Sequence, residues 1–270
     1  MAAELNLDSL ITMSGLTLVI ENDPTDDVRR LGDWLTAAGL TLSVVRPHAG
    51  DPLPADLDGV AGLVVLGGEQ SAYDDPDAVP GAAWFPQLES LLRKAVRHGV
   101  PTLAICLGAQ LLAQAHGGIV EPAGAGPEIG PRLAAKRDKA EEDPLFASAP
   151  MLMDVLQWHT DEIVALPVGA VLLAASTNYP NQAFRLGEKA WGVQFHIECD
   201  TQMVASWALD SIGLLRECRI DPEGLLDRTE AAMGDLEEAW RPFAERFAAV
   251  VRGELAGASV SGRPLPLLGH

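Results

Sequence analysis

Cys106 is the residue of this sequence best placed to act as a nucleophile. It stands in "PTLAICLGAQLLAQAHGG" (101–118), between a predicted strand over 102–106 and a helix-forming stretch that stops at two glycines. Ligands of α/β sheets bind beyond the carboxyl ends of strands, so a thiol on this turn would face substrate. The small residues Ala104 and Gly108 permit a tight turn, and the helix N-terminus favours the thiolate. Taken alone, the segment also fits a buried, inert cysteine.

A base for this thiol is predicted in "WGVQFHIE" (191–198). If this segment is a strand, Gln194, His196 and Glu198 share one face and the apolar residues between them face the core. A carboxylate two residues after a histidine can orient its ring and stabilise the imidazolium. The alternative is a solvated polar face on an edge strand.

Two main-chain amides are predicted to complete this chemistry. The N–H of Leu107 follows the thiol directly, and that of Gly68 lies in the Gly67-Gly68 pair at the end of another predicted strand. Both are suited to stabilise an oxyanion. Two glycines after a strand are also a common turn, so Gly68 by itself would not identify a site.

These residues need a sheet to bring them together. Alternating strands and helices predict an α/β fold, an open and mostly parallel sheet with helices on both faces. The predicted strands are 16–21, 41–47, 60–68 and 102–106, and the predicted helices are 22–40 and 84–99. Further short strands at 171–177, 182–186 and 191–198 are expected to be antiparallel additions at the sheet edge.

The sequence beyond Asp200 predicts helices, at 201–215 and 229–255. We therefore divide the chain into a domain of residues 1–200 and a helical extension of 201–270. An apolar stripe follows the second helix, and Pro242 would kink or split it. We expect the stripe to pack on the chain's own domain; a partner protein, or a second copy in a homodimer, is the alternative. The stripe comprises Met233, Leu236, Trp240, Phe243, Phe247, Val250 and Val251.

Composition excludes several classes of protein. The formal net charge is -19, from 38 acidic and 19 basic residues, which argues against nucleic-acid binding. No apolar run is long enough to span a membrane, and the N-terminus lacks the basic residues of a secretory signal. Three cysteines without metal-ligand spacing predict neither a disulfide framework nor a metal site. We expect a cytoplasmic protein.

The motifs "AICLGAQLLA" and "GVQFHIE", supported by "VLGGEQS" and "QWHTDEIVALP", resemble those of class I (Cys-His-Glu triad) glutamine amidotransferase domains. The resemblance covers roughly residues 15–200 and is greatest to stand-alone GMP-synthetase-like amidotransferases and γ-glutamyl peptidases. It implies a flavodoxin-like glutaminase fold that needs no cofactor.

The resemblance also implies roles for individual residues. Cys106 would attack the γ-amide carbon of glutamine, His196 would carry the proton to the leaving ammonia, and Glu198 would orient His196. Gly68 and Leu107 would hold the oxyanion. Gln110 would contact the substrate, and the backbone around His159 and Thr160 would bind its α-amino and α-carboxylate groups.

Four positions depart from the family pattern. Ala104 stands where the family has glycine, and Ile197 where it has proline. Glu69 and Thr160 replace a proline and a glycine in the predicted binding loops, so they bear on substrate specificity rather than on the triad. The imidazole of His159 has an alternative role as a structural side chain packed beside Trp158.

Three functions remain open at this point. The first is a glutaminase that releases ammonia to a separate acceptor synthetase, since no phosphate-binding Gly-Lys-Ser/Thr loop occurs in the sequence. The second is a γ-glutamyl peptidase acting on an amide other than glutamine. The third is a regulatory binding protein without turnover, against which the complete triad argues.

Overall fold

The structure, a computed structural model, describes residues 15–258. Its eleven strands are β1 (Leu16–Ile20), β2 (Thr41–Val45), β3 (Val60–Val65), β4 (Thr102–Ile105), β5 (Ile119–Pro122), β6 (Glu128–Lys136), β7 (Leu152–His159), β8 (Asp161–Ala165), β9 (Val171–Ala175), β10 (Ala183–Leu186) and β11 (Ala190–Val193). Its α-helices are α1 (Arg29–Ala37), α2 (Phe85–His98), α3 (Leu107–Ala115), α4 (Thr201–Asp210), α5 (Ile212–Glu217) and α6 (Pro222–Val251). Among these helices, none is both long and apolar enough to cross a membrane.

Nine strands form one mixed sheet in the order β2-β1-β3-β4-β11-β10-β9-β6-β7. The first five strands in this order are parallel, and each later strand pairs antiparallel with its neighbour. Strands β5 and β8 form a separate antiparallel pair. The predicted α/β fold with a mostly parallel sheet and antiparallel additions is confirmed.

Each face of the parallel half is covered by helices. Side chains alternate along β1, so Val19 joins the core on one face while Leu18 and Ile20 join the core on the other. Helices α1 and α6 pack on the first face, and α2 and α3 pack on the second. The predicted helix at 84–99 is present as α2 and ends at Gly99 in the left-handed conformation, as a helix-terminating glycine should.

The position of β11 corrects the prediction for 191–198. This strand is not an antiparallel edge addition, because it pairs parallel with β4 in the middle of the sheet. It also ends at Val193, and His196 forms only an isolated bridge to Leu156 of β7. The tight β10–β11 hairpin at Gly187 returns the chain beside β4, which no local pattern specifies.

Four strands, β5 to β8, were not predicted from the sequence. The longest ladder among them pairs β6 with β7 from Glu128↔His159 to Ala135↔Leu152. Gly130 and Pro131 interrupt the apolar alternation of β6, so its strand character depends on pairing with a distant segment.

The predicted helix over 22–40 begins later than expected, at Arg29. The preceding residues form a loop in which the Asp23 side chain accepts hydrogen bonds from the main-chain N–H and hydroxyl of Thr25. Such a turn competes with helix formation. As a result, Asp23, Asp26 and Asp27 lie in a loop at the carboxyl edge of the sheet and not in the predicted helix.

Helix α6 begins at Pro222, where Asp221 caps the N–H of Gly224, and it continues through Pro242 without a break. Its apolar stripe is buried in the core beneath the sheet, with Trp240, Phe243 and Phe247 at most 1% exposed. The Trp240 indole also donates to the Asp154 carbonyl of β7. The stripe is therefore covered by the chain itself.

Candidate active site

Cys106 lies on a strained turn between β4 and α3. Its φ of 50° is in the left-handed region, which costs a residue with a side chain roughly 1–3 kcal/mol. The turn packs closely on β3, since a methyl group at Gly108 would lie 2.3 Å from the Val65 carbonyl oxygen. The strand-to-helix turn predicted at this cysteine is thus present, and Cys106 lines a cavity.

His196 and Glu198 form a short buried pair beside this cysteine. Nδ1 of His196 lies 2.6 Å from Oε1 of Glu198, and both side chains are at most 2% exposed. The second carboxylate oxygen of Glu198 accepts the N–H of Ile197 at 2.8 Å. A proline at this position would have no N–H to donate, so Ile197 adds an anchor for the carboxylate.

The alternation predicted for this segment continues past the end of β11. The four apolar residues Trp191, Val193, Phe195 and Ile197 all join one hydrophobic core. Gln194, His196 and Glu198 lie outside that core but are buried as well. The alternative of a solvated polar face is therefore wrong for this segment.

The electrostatics of the site favour a protonated histidine. Burial lowers the pKa of His196, but the negative charge of Glu198, the hydrogen bond to that carboxylate and the neighbouring Cys106 sulfur raise it well above its ordinary value. An imidazolium next to the sulfur is ready to act as a proton donor.

The two predicted oxyanion donors lie side by side. A methyl group at Gly68 would come within 3.0 Å of the Leu107 side chain, so the two residues are in contact. Leu107 is the first residue of α3 and has no intrahelical acceptor for its N–H. Within residues 15–258, no hydrogen-bond acceptor is recorded for either amide.

One side of the cavity, which we name the paired wall, consists of Gln110, His159 and Asp161. The Gln110 amide donates to the Asp161 carbonyl at 3.4 Å and to the Gln194 side chain at 3.2 Å. Gln194 in turn donates to the Cys106 sulfur at 3.7 Å. Gln194 was not among the predicted site residues, although its place on the His196 face was a usable signal.

His159 holds this wall together through its side chain. Nδ1 lies 2.8 Å from the Asp161 carbonyl oxygen, and Nε2 lies 3.3 Å from a carboxylate oxygen of Glu128. The imidazole is buried and packs on Tyr179, which agrees with the alternative of a structural side chain. Thr160 is exposed at the cavity, so the predicted substrate contacts from this turn stay a prediction.

Asp161 ties the two predicted binding loops to each other. Its carboxylate oxygens accept hydrogen bonds from the hydroxyls of Ser71 at 2.7 Å and Tyr73 at 2.9 Å. Both hydroxyls belong to the segment after Gly67-Gly68. Sequence reasoning singled out each loop but could not pair them, because the contact spans about 90 residues.

A second side, the acidic wall, consists of Asp26, Glu69 and Asp210. Asp26 is buried, whereas Glu69 and Asp210 are exposed at the cavity mouth. A methyl group at Gly67 would lie 2.4 Å from an Asp26 carboxylate oxygen and 3.1 Å from Cε1 of His196, which places Asp26 next to the imidazole. The sequence analysis did not predict this wall, because Asp26 falls within the helix predicted over 22–40. The cluster of acidic residues after the first strand was the signal that could have indicated it.

The walls enclose a cavity of about 350 Å³, in the range of small-molecule sites. Trp158, Trp207, Ser211 and Leu214 also line it. Cys199 is buried and Cys218 is half-buried; both are unpaired and absent from this lining. Burial raises the pKa of the Cys199 thiol, which fits the inert role expected for it.

Comparison with known proteins agrees with this geometry. Residues 29–203 match the family model described as glutamine amidotransferase class-I. The chain is 36% identical over 183 residues to GMP synthase [glutamine-hydrolyzing] of Porphyromonas gingivalis, covering 66% of this chain but only 33% of that protein. It is 27% identical over 201 residues to gamma-glutamyl peptidase 5 of Arabidopsis thaliana, with 73% of this chain and 76% of that protein covered.

Among solved structures, a glutamine amidotransferase from Thermotoga maritima superposes with a TM-score of 0.76 at 28% identity, covering 87% of this chain and 98% of that one. The chain spans about one third of the GMP synthase of P. gingivalis that it matches. The family match, however, extends over more than half of the chain and includes Cys106, His196 and Glu198. The chain therefore belongs to the class-I glutamine amidotransferase family.

Proposed function

We propose that this chain hydrolyses a γ-glutamyl amide through a thioester on Cys106, with glutamine as the simplest substrate. The observation that carries the proposal is the buried pair of His196 and Glu198, 2.6 Å apart, at a cavity that His196 and Cys106 both line. A regulatory binding protein would have no need for such an arrangement, because a buried charged pair costs several kcal/mol of desolvation.

In the first step the Cys106 thiolate attacks the γ-carbonyl carbon, and a carbon–sulfur bond forms as the carbonyl electrons move to oxygen. The N–H groups of Leu107 and Gly68 stabilise that oxyanion. The His196 imidazolium then gives its proton to the amide nitrogen, the carbon–nitrogen bond breaks, and the amine or ammonia leaves. Glu198 holds the ring in position and stabilises its charge throughout.

In the second step neutral His196 takes a proton from water. The hydroxide adds to the thioester carbon, and the same two amides stabilise the new oxyanion. Collapse of this intermediate breaks the carbon–sulfur bond, releases glutamate and returns Cys106 as a thiolate with His196 protonated. No redox change occurs, and no group beyond water is consumed.

The identity of the leaving group distinguishes two kinds of substrate. Relatives named GMP synthase [glutamine-hydrolyzing] support glutamine, with ammonia delivered to a synthetase as acceptor. A relative named gamma-glutamyl peptidase, which this chain matches over 76% of its length, supports a larger amine. Both use the same thioester chemistry, so one assay format serves for both.

The test is release of glutamate from glutamine and from a set of γ-glutamyl amides and dipeptides by the purified chain. Cys106→Ala should abolish release, whereas Cys218→Ala should not, because Cys218 lies outside the cavity lining. A diazoketone analogue of glutamine should add mass to the peptide that contains Cys106. Labelling of Cys199 or Cys218 instead, or release that survives Cys106→Ala, would refute the proposal.

A further inference from the structure

We propose that the acidic wall binds a positively charged group in the leaving amine, so that the preferred substrate is a γ-glutamyl amide of a diamine. This inference rests on the proposed function and specifies its substrate class. The wall consists of Asp26, Glu69 and Asp210, and the described cavity lining contains no lysine or arginine to neutralise it.

The location of the wall identifies the part of the substrate that it would meet. His196 must lie next to the leaving nitrogen, because it donates the proton that allows the amine to depart. Asp26 adjoins Cε1 of His196 across Gly67, and Trp207 packs against the same imidazole in a tilted arrangement with ring centroids 4.7 Å apart. The leaving amine therefore passes between Asp26 and α4, which carries Asp210 one turn after Trp207.

The opposite end of the substrate has a different environment. The paired wall connects to the Cys106 sulfur through Gln110 and Gln194, and its side chains already accept or donate hydrogen bonds within the protein. Both carboxylate oxygens of Asp161 accept hydroxyl protons. That wall suits the constant glutamyl portion, whereas unused charge is concentrated where the variable amine would lie.

Asp26 is a buried carboxyl group without a partner. Asp26 is only 5% exposed, yet within residues 15–258 neither of its carboxylate oxygens accepts a hydrogen bond. Asp23, its buried neighbour, accepts three hydrogen bonds from Thr25 and Gln70. The Asp26 oxygens are not completely sealed from solvent, because Asp26 lines the cavity. A ligand in that cavity can therefore supply the missing donor.

The loop that carries Asp26 is held firmly in place. The Asn22 side chain donates to the Leu66 carbonyl and accepts from the Trp84 indole. The Thr25 carbonyl accepts from the Trp207 indole, which ties the loop to α4. Asp26 is therefore preorganised to receive a ligand rather than free to turn into solvent.

The ionisation of Asp26 fits a cationic ligand. Its pKa is raised to about 7: burial is the largest cause, the charge of His196 opposes it, and the charges of Glu198, Asp23 and Glu69 add to it. An arriving ammonium would favour the carboxylate over the neutral acid and form a charge-assisted hydrogen bond. Trp158 and Trp207, 5.5 Å apart and both lining the cavity, provide aromatic faces for the methylene chain and the cation.

The experiment compares three substrates that differ in the charge at the end of the amine. They are the γ-glutamyl amides of 1,4-diaminobutane (cationic), n-pentylamine (neutral, of equal length) and 4-aminobutanoate (anionic), with glutamate release as the readout. We expect kcat/KM for the cationic amide to exceed that for the neutral amide about 10- to 100-fold, and the anionic amide to be slowest. Equal values for all three, or a preference for the anionic amide, would overturn the inference while leaving the proposed function intact.

Substitutions in the acidic wall test whether its carboxylates cause the preference for the cationic amide. Asp26→Asn should lower the cationic-to-neutral ratio about tenfold or more, and Asp210→Asn should lower it severalfold, since Asp210 is exposed and screened by solvent. Asp27→Asn is the matched control: its side chain pairs with Arg29 and does not line the cavity, so the ratio should stay at the wild-type value. If Asp26→Asn slows every substrate by the same factor, Asp26 acts through His196 and the inference is wrong.

A binding measurement separates this inference from the proposed function. Calorimetry on Cys106→Ala compares the affinities of the cationic and neutral amides without turnover. Tighter binding of the cationic amide would support the inference, whether or not the wild-type chain hydrolyses any amide. Absence of hydrolysis for every amide, glutamine included, would refute the proposed function alone. Equal affinities would refute the inference whatever the turnover. Because Asp210 is exposed, its variant also provides the test if Asp26→Asn fails to fold.

Discussion

The two walls of the cavity are both polar, but they differ in whether their polar groups are used. On the paired wall, Gln110, His159 and Asp161 bond to one another and to neighbouring loops. On the acidic wall, the buried Asp26 has no hydrogen-bond donor within residues 15–258. Satisfied groups rigidify a site, whereas an unsatisfied buried group awaits a ligand. The comparison indicates that the paired wall is a rigid part of the site and that the acidic wall is the part that selects the substrate.

The largest effect should follow replacement of Cys106, whose sulfur would react with the substrate held between the two walls. Cys106→Ala should lower glutamate release from any γ-glutamyl amide by about 10⁴-fold or more, because the covalent step is lost. Binding should persist, since both walls remain. Assays of turnover and calorimetry on the same preparation check the two halves of this expectation. Loss of binding together with turnover would contradict the division of the cavity into binding walls and a separate nucleophile.

Glu198→Gln should lower kcat by about 10³-fold, less than loss of the nucleophile. The carboxylate at 2.6 Å orients His196 and stabilises its charge but does not itself transfer a proton. The cationic-to-neutral substrate ratio should not change, because Glu198 belongs to neither wall. Steady-state kinetics measure both quantities. A loss as complete as that of Cys106→Ala would give Glu198 a larger role than we assign.

Because Asp26 is buried without a hydrogen-bond donor, the free energy of unfolding should depend on pH. Its pKa is raised from 3.8 to about 7 in the folded chain, mainly by burial, so between these values the native state holds more protons than the unfolded state. The free energy of unfolding attributable to this group therefore falls as the pH rises through that window. Asp26→Asn should match wild type near pH 4 and be more stable by about 4 kcal/mol at pH 8.

Denaturant unfolding at the two pH values provides this measurement, and Asp27→Asn should follow wild type at both. A difference between wild type and Asp26→Asn that did not change with pH would show that Asp26 is satisfied in solution. It would also remove the main contrast between the two walls.

The smallest effect should come from loosening the paired wall. Asp161→Asn weakens the acceptors for Ser71 and Tyr73, so the loop after Gly67-Gly68 should become less ordered. We expect KM to rise about tenfold for cationic and neutral amides alike, with their ratio unchanged. The control is Asp77→Asn, which also removes one negative charge, but from an exposed position in the loop after Gly67-Gly68. It should have no effect. A changed ratio would mean that the walls are not independent.

Much of the site could be predicted from short-range patterns. Cys106 between a strand and a helix, and His196 two residues before Glu198, are local arrangements whose geometry follows from the periods of strand and helix. The alternation that puts His196 and Glu198 together holds even though regular pairing ends at Val193. Helix α2 with its terminal Gly99, and the stripe of α6, were predictable for the same reason.

The acidic wall, the link from Asp161 to Ser71 and Tyr73, and the strands β5 to β8 could not be predicted in this way. Each depends on contacts between segments far apart in the chain, where local propensity is overridden by pairing partners. Asp26 illustrates the point, because its acidic neighbours and the following helix were read as one element, whereas the turn at Asp23 separates them.

By itself the sequence determined the α/β class and pointed to Cys106, His196 and Glu198 as the proposed nucleophile, its base and the partner of that base, because these follow from residue types at spacings of one to four positions. Only the tertiary structure decided that β11 runs parallel to β4 in the centre of the sheet, which brings His196 to Cys106. It likewise decided which carboxylates accept hydrogen bonds from the protein and which do not. The physical reason is that burial and hydrogen-bond satisfaction depend on every segment packed around a group, and a chain specifies those neighbours only once it is folded.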